Sequence, residues 1–401
     1  MDDQAVKKYL SFLQGRDWLV KLDWPTFLGI DAPYAATSFA EKEVQERYQR
    51  NGYAWDIHGR LYIPDKETLP GHSFVLIHGG GVNEFDFQVT PDGRPGLARV
   101  LASQGFHVLT PSFPGLYPPG GKWTVPLQER KPFYLLDQKL GEAEIKDRLL
   151  KATYQVYMQG ISLLVEKYLA GQRLLAMGHS TGGPMAADLY QYLVTAKIAG
   201  IVGWGSAGTE QWVLRWRETS KTPSIVARTA TSRPIGGIRY RTVDEYRHSA
   251  GYEDLPELTP WGSLEQRVEL IGDITPMFNP DLQDASPAVD IKSLKEYPVV
   301  TGLPNEEYIG HFREPDAEFL RKIKVLLLVG ENDRGHWKTG GQRPEERQEG
   351  FVAKLYAEKT MGAHLALLPK YTHMGHWALH NEKFVYLWLW AVKSGYFGNL
   401  S

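Results

Sequence analysis

The chain has no cysteine. That removes disulfides, thiolate metal centres and cysteine nucleophiles together, and it leaves the redox compartment undecided. A surplus of either charge is also missing: 45 basic and 47 acidic residues give a formal net charge of −2. Nothing in that balance points to nucleic acid or an anionic membrane surface as a partner. Long hydrophobic runs are absent too. The most apolar helical stretch, Phe384-Val385-Tyr386-Leu387-Trp388-Leu389-Trp390, is too short to span a bilayer and reads as a last helix packed on a sheet. The start, Met1-Asp2-Asp3-Gln4, is acidic with no apolar segment behind it, so a cytoplasmic protein without a secretory signal is expected. No internal repeat or low-complexity tract is found. A chain of 401 residues then fits one large α/β domain carrying an insertion, or two to three smaller domains.

What is present is sharper. Gly178-His179-Ser180-Thr181-Gly182 follows the apolar run Leu174-Leu175-Ala176-Met177 and leads into the helix-like Pro184-Met185-Ala186-Ala187-Asp188-Leu189-Tyr190. Strand, tight turn, serine, helix is the context of the G-x-S-x-G nucleophile elbow. The glycines are needed because the turn brings the strand, the helix and their neighbours too close for a side chain. Ser180 is therefore the expected nucleophile, against a structural Gly-Ser turn. Upstream, His78-Gly79-Gly80-Gly81 ends the strand-like Ser73-Phe74-Val75-Leu76-Ile77. Acyl transfer needs backbone N–H groups aimed at a developing oxyanion. Gly79 or Gly80, with Thr181 after the nucleophile, are the expected donors. The bland alternative is a flexible glycine turn. His78 reads as an orienting loop residue.

This order of strand-HGGG, strand-GHSTGG, late acid and late histidine resembles the α/β-hydrolase superfamily, from about residue 53 to the C-terminus. Within it, His78-Gly79-Gly80-Gly81 with Thr90-Pro91-Asp92-Gly93-Arg94-Pro95-Gly96 is similar to a subgroup of microbial and fungal esterase-like hydrolases. The resemblance implies a mostly parallel central sheet flanked by helices, with a cap inserted between two late strands. It implies no cofactor and no metal.

The same resemblance places the acid and the base. Lys324-Val325-Leu326-Leu327-Leu328-Val329-Gly330 reads as a buried parallel strand. The turn after it, where the superfamily keeps its acid, holds Asp333. A turn aspartate capping local backbone is the competing reading. Glu331 and Glu210 are rivals, Glu210 because the TPDGRPG-bearing esterases place a glutamate after the preceding strand, where this chain has Gly205. The base belongs on the loop after the last strand, and Tyr371-Thr372-His373-Met374-Gly375-His376-Trp377 follows it. The Gly-His pair favours His376 as base, with His373 a supporting or surface imidazole.

Along the chain, residues 1–50 read as an N-terminal helical extension covering the site's mouth or forming an interface, such as that of a homodimer. Residues 51–208 and 322–401 read as the core, opening with a hairpin turned around His58-Gly59. Residues 142–169 read as a long amphipathic helix. Residues 209–321 read as a cap, rich in aromatics and prolines. A cap closes over the serine and shapes the substrate pocket; Trp204, Trp212 and Met277 are the candidates for its wall.

The leading expectation is a serine hydrolase acting on a carboxylic ester or lactone of a medium-sized, partly apolar small molecule through an acyl-enzyme. Amide hydrolysis uses the same parts. The alternative keeps the fold and performs acyl transfer, cyclisation or C–C cleavage in a natural-product pathway, excluding the attacking water. Epoxide hydrolases and dehalogenases carry an aspartate at the elbow, where this chain has Ser180.

Overall fold

Apolar residues alternate between two sides of the central strands, and each side has its own core. Phe74 and Leu76, Leu175 and Met177, and Leu326 and Leu328 join one cluster. Val75 and Ile77, Leu174 and Ala176, and Leu327 and Val329 join the other. A sheet buried on both faces needs helices on both faces. The protein, described from a computed structural model, has that arrangement. The structure describes residues 3–17, 19–79, 84–90, 92–112, 151, 153–180, 182–205, 238–242, 274–278, 302–304, 307, 322–333 and 364–398.

The chain opens with α1 (Asp3–Gln14), β1 (Leu19–Lys21) and α2 (Trp24–Leu28). A long hairpin follows, β2 (Phe39–Arg50) and β3 (Tyr53–Pro64). Next come β4 (His72–Ile77), α3 (Leu97–Ser103), β5 (His107–Pro111), α4 (Tyr154–Tyr168), β6 (Arg173–His179), α5 (Gly182–Asp188) and β7 (Lys197–Trp204). A separate antiparallel pair, β8 (Ile238–Thr242) and β9 (Ile274–Phe278), precedes β10 (Lys324–Gly330), β11 (His364–Leu368) and α6 (Glu382–Lys393).

Nine strands form one sheet in the order β1-β11-β10-β7-β6-β4-β5-β3-β2. From β1 to β5 every pairing is parallel, and β3 and β2 are antiparallel. Helices α1, α2, α3 and α6 supply one core cluster; α4 and α5 supply the other. This is an α/β-hydrolase fold: a mostly parallel sheet between helical layers. In such sheets ligands bind beyond the carboxyl ends of the strands, and Gly79, Ser180, Gly205, Asp333 and His373 all follow such ends.

Two expectations about the N-terminal part need correction. Residues 1–50 are not only helical, because β1 joins the sheet at one edge and β2 at the other. The hairpin turns at Asn51-Gly52, both at positive φ, and not at His58-Gly59. Gly59 sits mid-strand, where a Cβ would meet Thr110 O at 2.8 Å. The helix expected over 142–169 is shorter at its start: α4 begins at Tyr154, after a turn at Lys151 and the extended N-cap Thr153; residues 142–150 and 152 lie outside the described residues. So does most of 209–321, apart from β8, β9, residues 302–304 and Glu307. Glu307 accepts from Arg50 Nε (2.9 Å), Asn51 Nδ2 (3.1 Å) and Thr153 Oγ1 (3.1 Å), tying that segment to the hairpin tip and the N-cap of α4.

The elbow has no room for larger residues. A Cβ on Gly182 would lie 2.2 Å from Ile77 O, and one on Gly178 would lie 2.2 Å from Gly182 O. Both obstacles are backbone, so only a shift of β4, β6 or α5 could relieve them. Gly182→Ala is expected to cost about 3 kcal/mol or more, seen as a thermal midpoint lowered by several degrees. An unchanged midpoint would mean that the elbow is looser than described.

Candidate active site

Ser180 sits between β6 and α5 at φ 50°. A non-glycine residue in the left-handed region costs about 1–3 kcal/mol and persists only where its surroundings impose it. Here they do: Ser180 N–H donates to Trp204 O at 3.0 Å, and Gly183 N–H donates to Ser180 O at 3.0 Å. Gly79, at the end of β4, presses on this turn; a Cβ there would come within 3.0 Å of both Ser180 Cβ and His179 Nδ1. Gly80 and Thr181, the other expected oxyanion donors, lie outside the described residues. His78 is fully buried, with Nδ1 2.8 Å from Gly79 O. Burial lowers its pKa to about 4, so it is neutral at physiological pH.

Asp333 follows β10 and is completely buried. Its carboxylate meets His373: Nδ1 lies 3.0 Å from Oδ2 and 3.1 Å from Oδ1. Beneath the pair is Gly205, the residue after β7, at φ 52°. A Cβ there would be 3.0 Å from His373 Nδ1 and 3.3 Å from Asp333 Oδ2. Ser180 and His373 thus lean on one strand end, the serine through Trp204 O and the imidazole through Gly205. With Nδ1 on the carboxylate, Nε2 lies on the far side of the ring, as a serine's base requires. Glu331 is occupied elsewhere, ion-paired to Lys21 and accepting from Lys370 N–H. Glu210 and Trp212 lie outside the described residues, and Met277 is placed only as a backbone position in β9.

His376, expected as the base, does not reach Asp333. It is fully buried in the turn Gly375–Trp377. Its Nδ1 accepts from Trp204 Nε1 at 2.9 Å, and its Nε2 is 2.7 Å from Asp86 Oδ1. An indole N–H only donates, so the proton of His376 is on Nε2 and the remaining lone pair is taken. A ring so engaged has no lone pair to offer a serine. Trp204, a candidate for the pocket wall, is fully buried and packs against Phe384, with ring centroids 4.5 Å apart.

Asp86 is the residue that sequence reasoning missed. It lies in the short 3-10 turn Glu84–Phe87 after the glycine loop and is 1% exposed. Its carboxylate lies between His376 Nε2 and His179 Nδ1, the latter 3.2 Å from Oδ2. Burial works against its charge, but the His376 and His179 rings outweigh burial and hold the carboxyl well below the usual carboxylate range. The only sequence sign was an acid between two aromatics, Phe85-Asp86-Phe87.

Asp86, His179 and His376 offer ligand atoms within 4.8 Å of one another, a spacing compatible with a cation. The hydrogen bonds argue otherwise. A metal on His376 Nε2 would move that ring's proton to Nδ1, facing the Trp204 N–H head-on. The cluster is built to share protons.

This chain belongs to the alpha/beta hydrolase family, whose sequence model matches residues 74–385. No curated protein matches it in sequence. Among solved structures, a bromoperoxidase from Bacillus anthracis shares 14% identity over 87% of this chain and 100% of its own, with a TM-score of 0.43. MenH from S. aureus shares 13% over 84% and 98%, with a TM-score of 0.42. The thioesterase domain from the curacin biosynthetic pathway shares 14% over 87% and 99%, with a TM-score of 0.41. At such scores these likenesses carry nothing about mechanism, and the family assignment rests on the sequence model.

Proposed function

We propose that the protein is a serine hydrolase of carboxylic esters or lactones, with Ser180 as nucleophile, His373 as general base and Asp333 as the acid that orients it. The supporting observation is the buried Asp333 carboxylate 3.0 Å from His373 Nδ1, at the strand end that also holds the strained Ser180 turn. His373 Nε2 takes the Ser180 proton as Oγ attacks the acyl carbon, then returns it to the leaving alcohol; water repeats the cycle on the acyl-enzyme. The Gly79 amide, with those of Gly80 and Thr181, receives the oxyanion. No metal or organic cofactor enters this scheme. The aromatic-rich segment 209–321 favours a medium-sized, partly apolar small molecule, and neither nucleic acid nor a membrane is needed as a partner.

Intact mass after incubation with a fluorophosphonate tests the nucleophile. One adduct is expected on the wild type and none on Ser180→Ala. An adduct retained by that variant would move the nucleophile elsewhere. A folded wild type that takes no adduct would favour the non-hydrolytic chemistries.

A further inference from the structure

The TPDGRPG stretch marks a lineage in sequence, and its geometry gives it a task. Arg94 reaches across to the loop after β11: its Nη1 donates to Ala378 O (3.0 Å) and Asn381 Oδ1 (3.0 Å), and its Nη2 donates to Trp377 O (2.8 Å). Asn381 answers by donating to Pro95 O at 2.9 Å. Asp92 aims the guanidinium, accepting from Nε at 2.7 Å, and itself accepts from Thr90 Oγ1 at 2.5 Å. Gly93 turns at φ 86°, and Gly96 packs where a Cβ would lie 2.4 Å from Phe87 O. The stretch is thus folded directly onto the turn that carries Asp86.

Asp86 grips the same loop from inside. It accepts from His376 Nε2 at 2.7 Å and pairs with His179 Nδ1 at 3.2 Å. The other nitrogen of His179, Nε2, is 3.2 Å from the carbonyl oxygen of His373. Trp377 Nε1 adds a donation to Asp86 O at 3.2 Å. Burial lowers the pKa of His179 to about 4, so the ring is neutral and its single proton serves one of these two acceptors at a time.

We propose that residues 84–90 and 92–96 form a brace that sets the position of His373, with Asp86 and Arg94 as its positioning residues. Neither touches substrate. Asp86 acts through His179 on the backbone of His373 and through His376 on the turn behind it; Arg94 fixes the far end of that loop. What the loop needs from position 86 is a pair of hydrogen bonds, not a charge. An asparagine there supplies both, its carbonyl accepting from His376 and its N–H donating to a neutral His179. The proposal rests on His373 being the base.

The test is a kinetic cycle with p-nitrophenyl butyrate on Asp86→Ala, Asp86→Asn, Arg94→Lys and His373→Asn, and on Asp86→Ala and Arg94→Lys each combined with His373→Asn. Misplacing a base costs on the order of a hundredfold. Asp86→Ala is therefore expected to lower kcat about that much with KM nearly unchanged, and Asp86→Asn to restore it to within about threefold. Arg94→Lys, which loses the forked grip on two carbonyls, should lower kcat about tenfold. In the His373→Asn background both brace substitutions should have no further effect, because residues that act as a unit are not additive. Equal losses in both backgrounds, or an Asp86→Asn variant as slow as Asp86→Ala, would overturn the brace. Should Asp86→Ala not fold, the Arg94→Lys arm decides alone. If His373→Asn itself keeps wild-type kcat, the base assignment fails first and the brace fails with it.

Discussion

Replacing His373 with asparagine is expected to lower kcat by about ten-thousand-fold or more, with little change in the thermal midpoint. The asparagine amide can still donate to Asp333, so the buried carboxylate keeps a partner and only the proton-accepting nitrogen is lost. His376→Gln should do the opposite. Its amide can replace the donation to Asp86 but not the acceptance from Trp204. A buried donor left without a partner costs about 1–3 kcal/mol. The midpoint should therefore fall, while kcat drops only about tenfold, through the loosened loop. Measuring kcat and thermal midpoint for both variants separates the two histidines. A His376→Gln variant that is fully stable and inactive would restore His376 as the base.

Much of the framework around the candidate site was legible because the fold demands local sequence. The elbow needs glycines at fixed offsets, and Gly178 and Gly182 meet backbone atoms at 2.2 Å. The central strands need continuous apolar runs, and β4, β6, β7, β10 and β11 have them. What could not be read was set by partners far away in the chain. His373 and His376 lie three residues apart in one loop and look equivalent in sequence. The difference is that His376 meets Trp204 and Asp86, whereas His373 meets Asp333. The Gly-His cue pointed to the ring that is bound to Trp204 and Asp86. At the N-terminus, β2 was missed because it is an edge strand. Its run Glu41-Lys42-Glu43-Val44-Gln45-Glu46-Arg47 is largely charged, as edge strands often are to deter pairing with other chains. Little hydrophobic periodicity remains there to recognise.

The acid gives the second large effect. Asp333→Asn keeps the size of the side chain but faces His373 Nδ1 with an amide, which can hold the imidazole in the wrong tautomer; the expected loss in kcat is about ten-thousand-fold. Glu210→Gln is expected to change kcat by less than about threefold. The contrast turns on Gly205. In the esterases with the TPDGRPG stretch the glutamate comes after this strand, and a side chain at residue 205 would begin 3.0 Å from His373 Nδ1. The space that such a residue would fill is already taken by Asp333, which arrives from the next strand of the sheet, β10. Gly205→Ala should then lower kcat as well, by pushing His373 off its carboxylate, with a smaller loss than Asp333→Asn because the ring can tilt. Kinetics of the three variants decide the matter. If Glu210→Gln is the crippled enzyme and Asp333→Asn is active, the acid comes from the segment after β7, and the pair seen at His373 is structural.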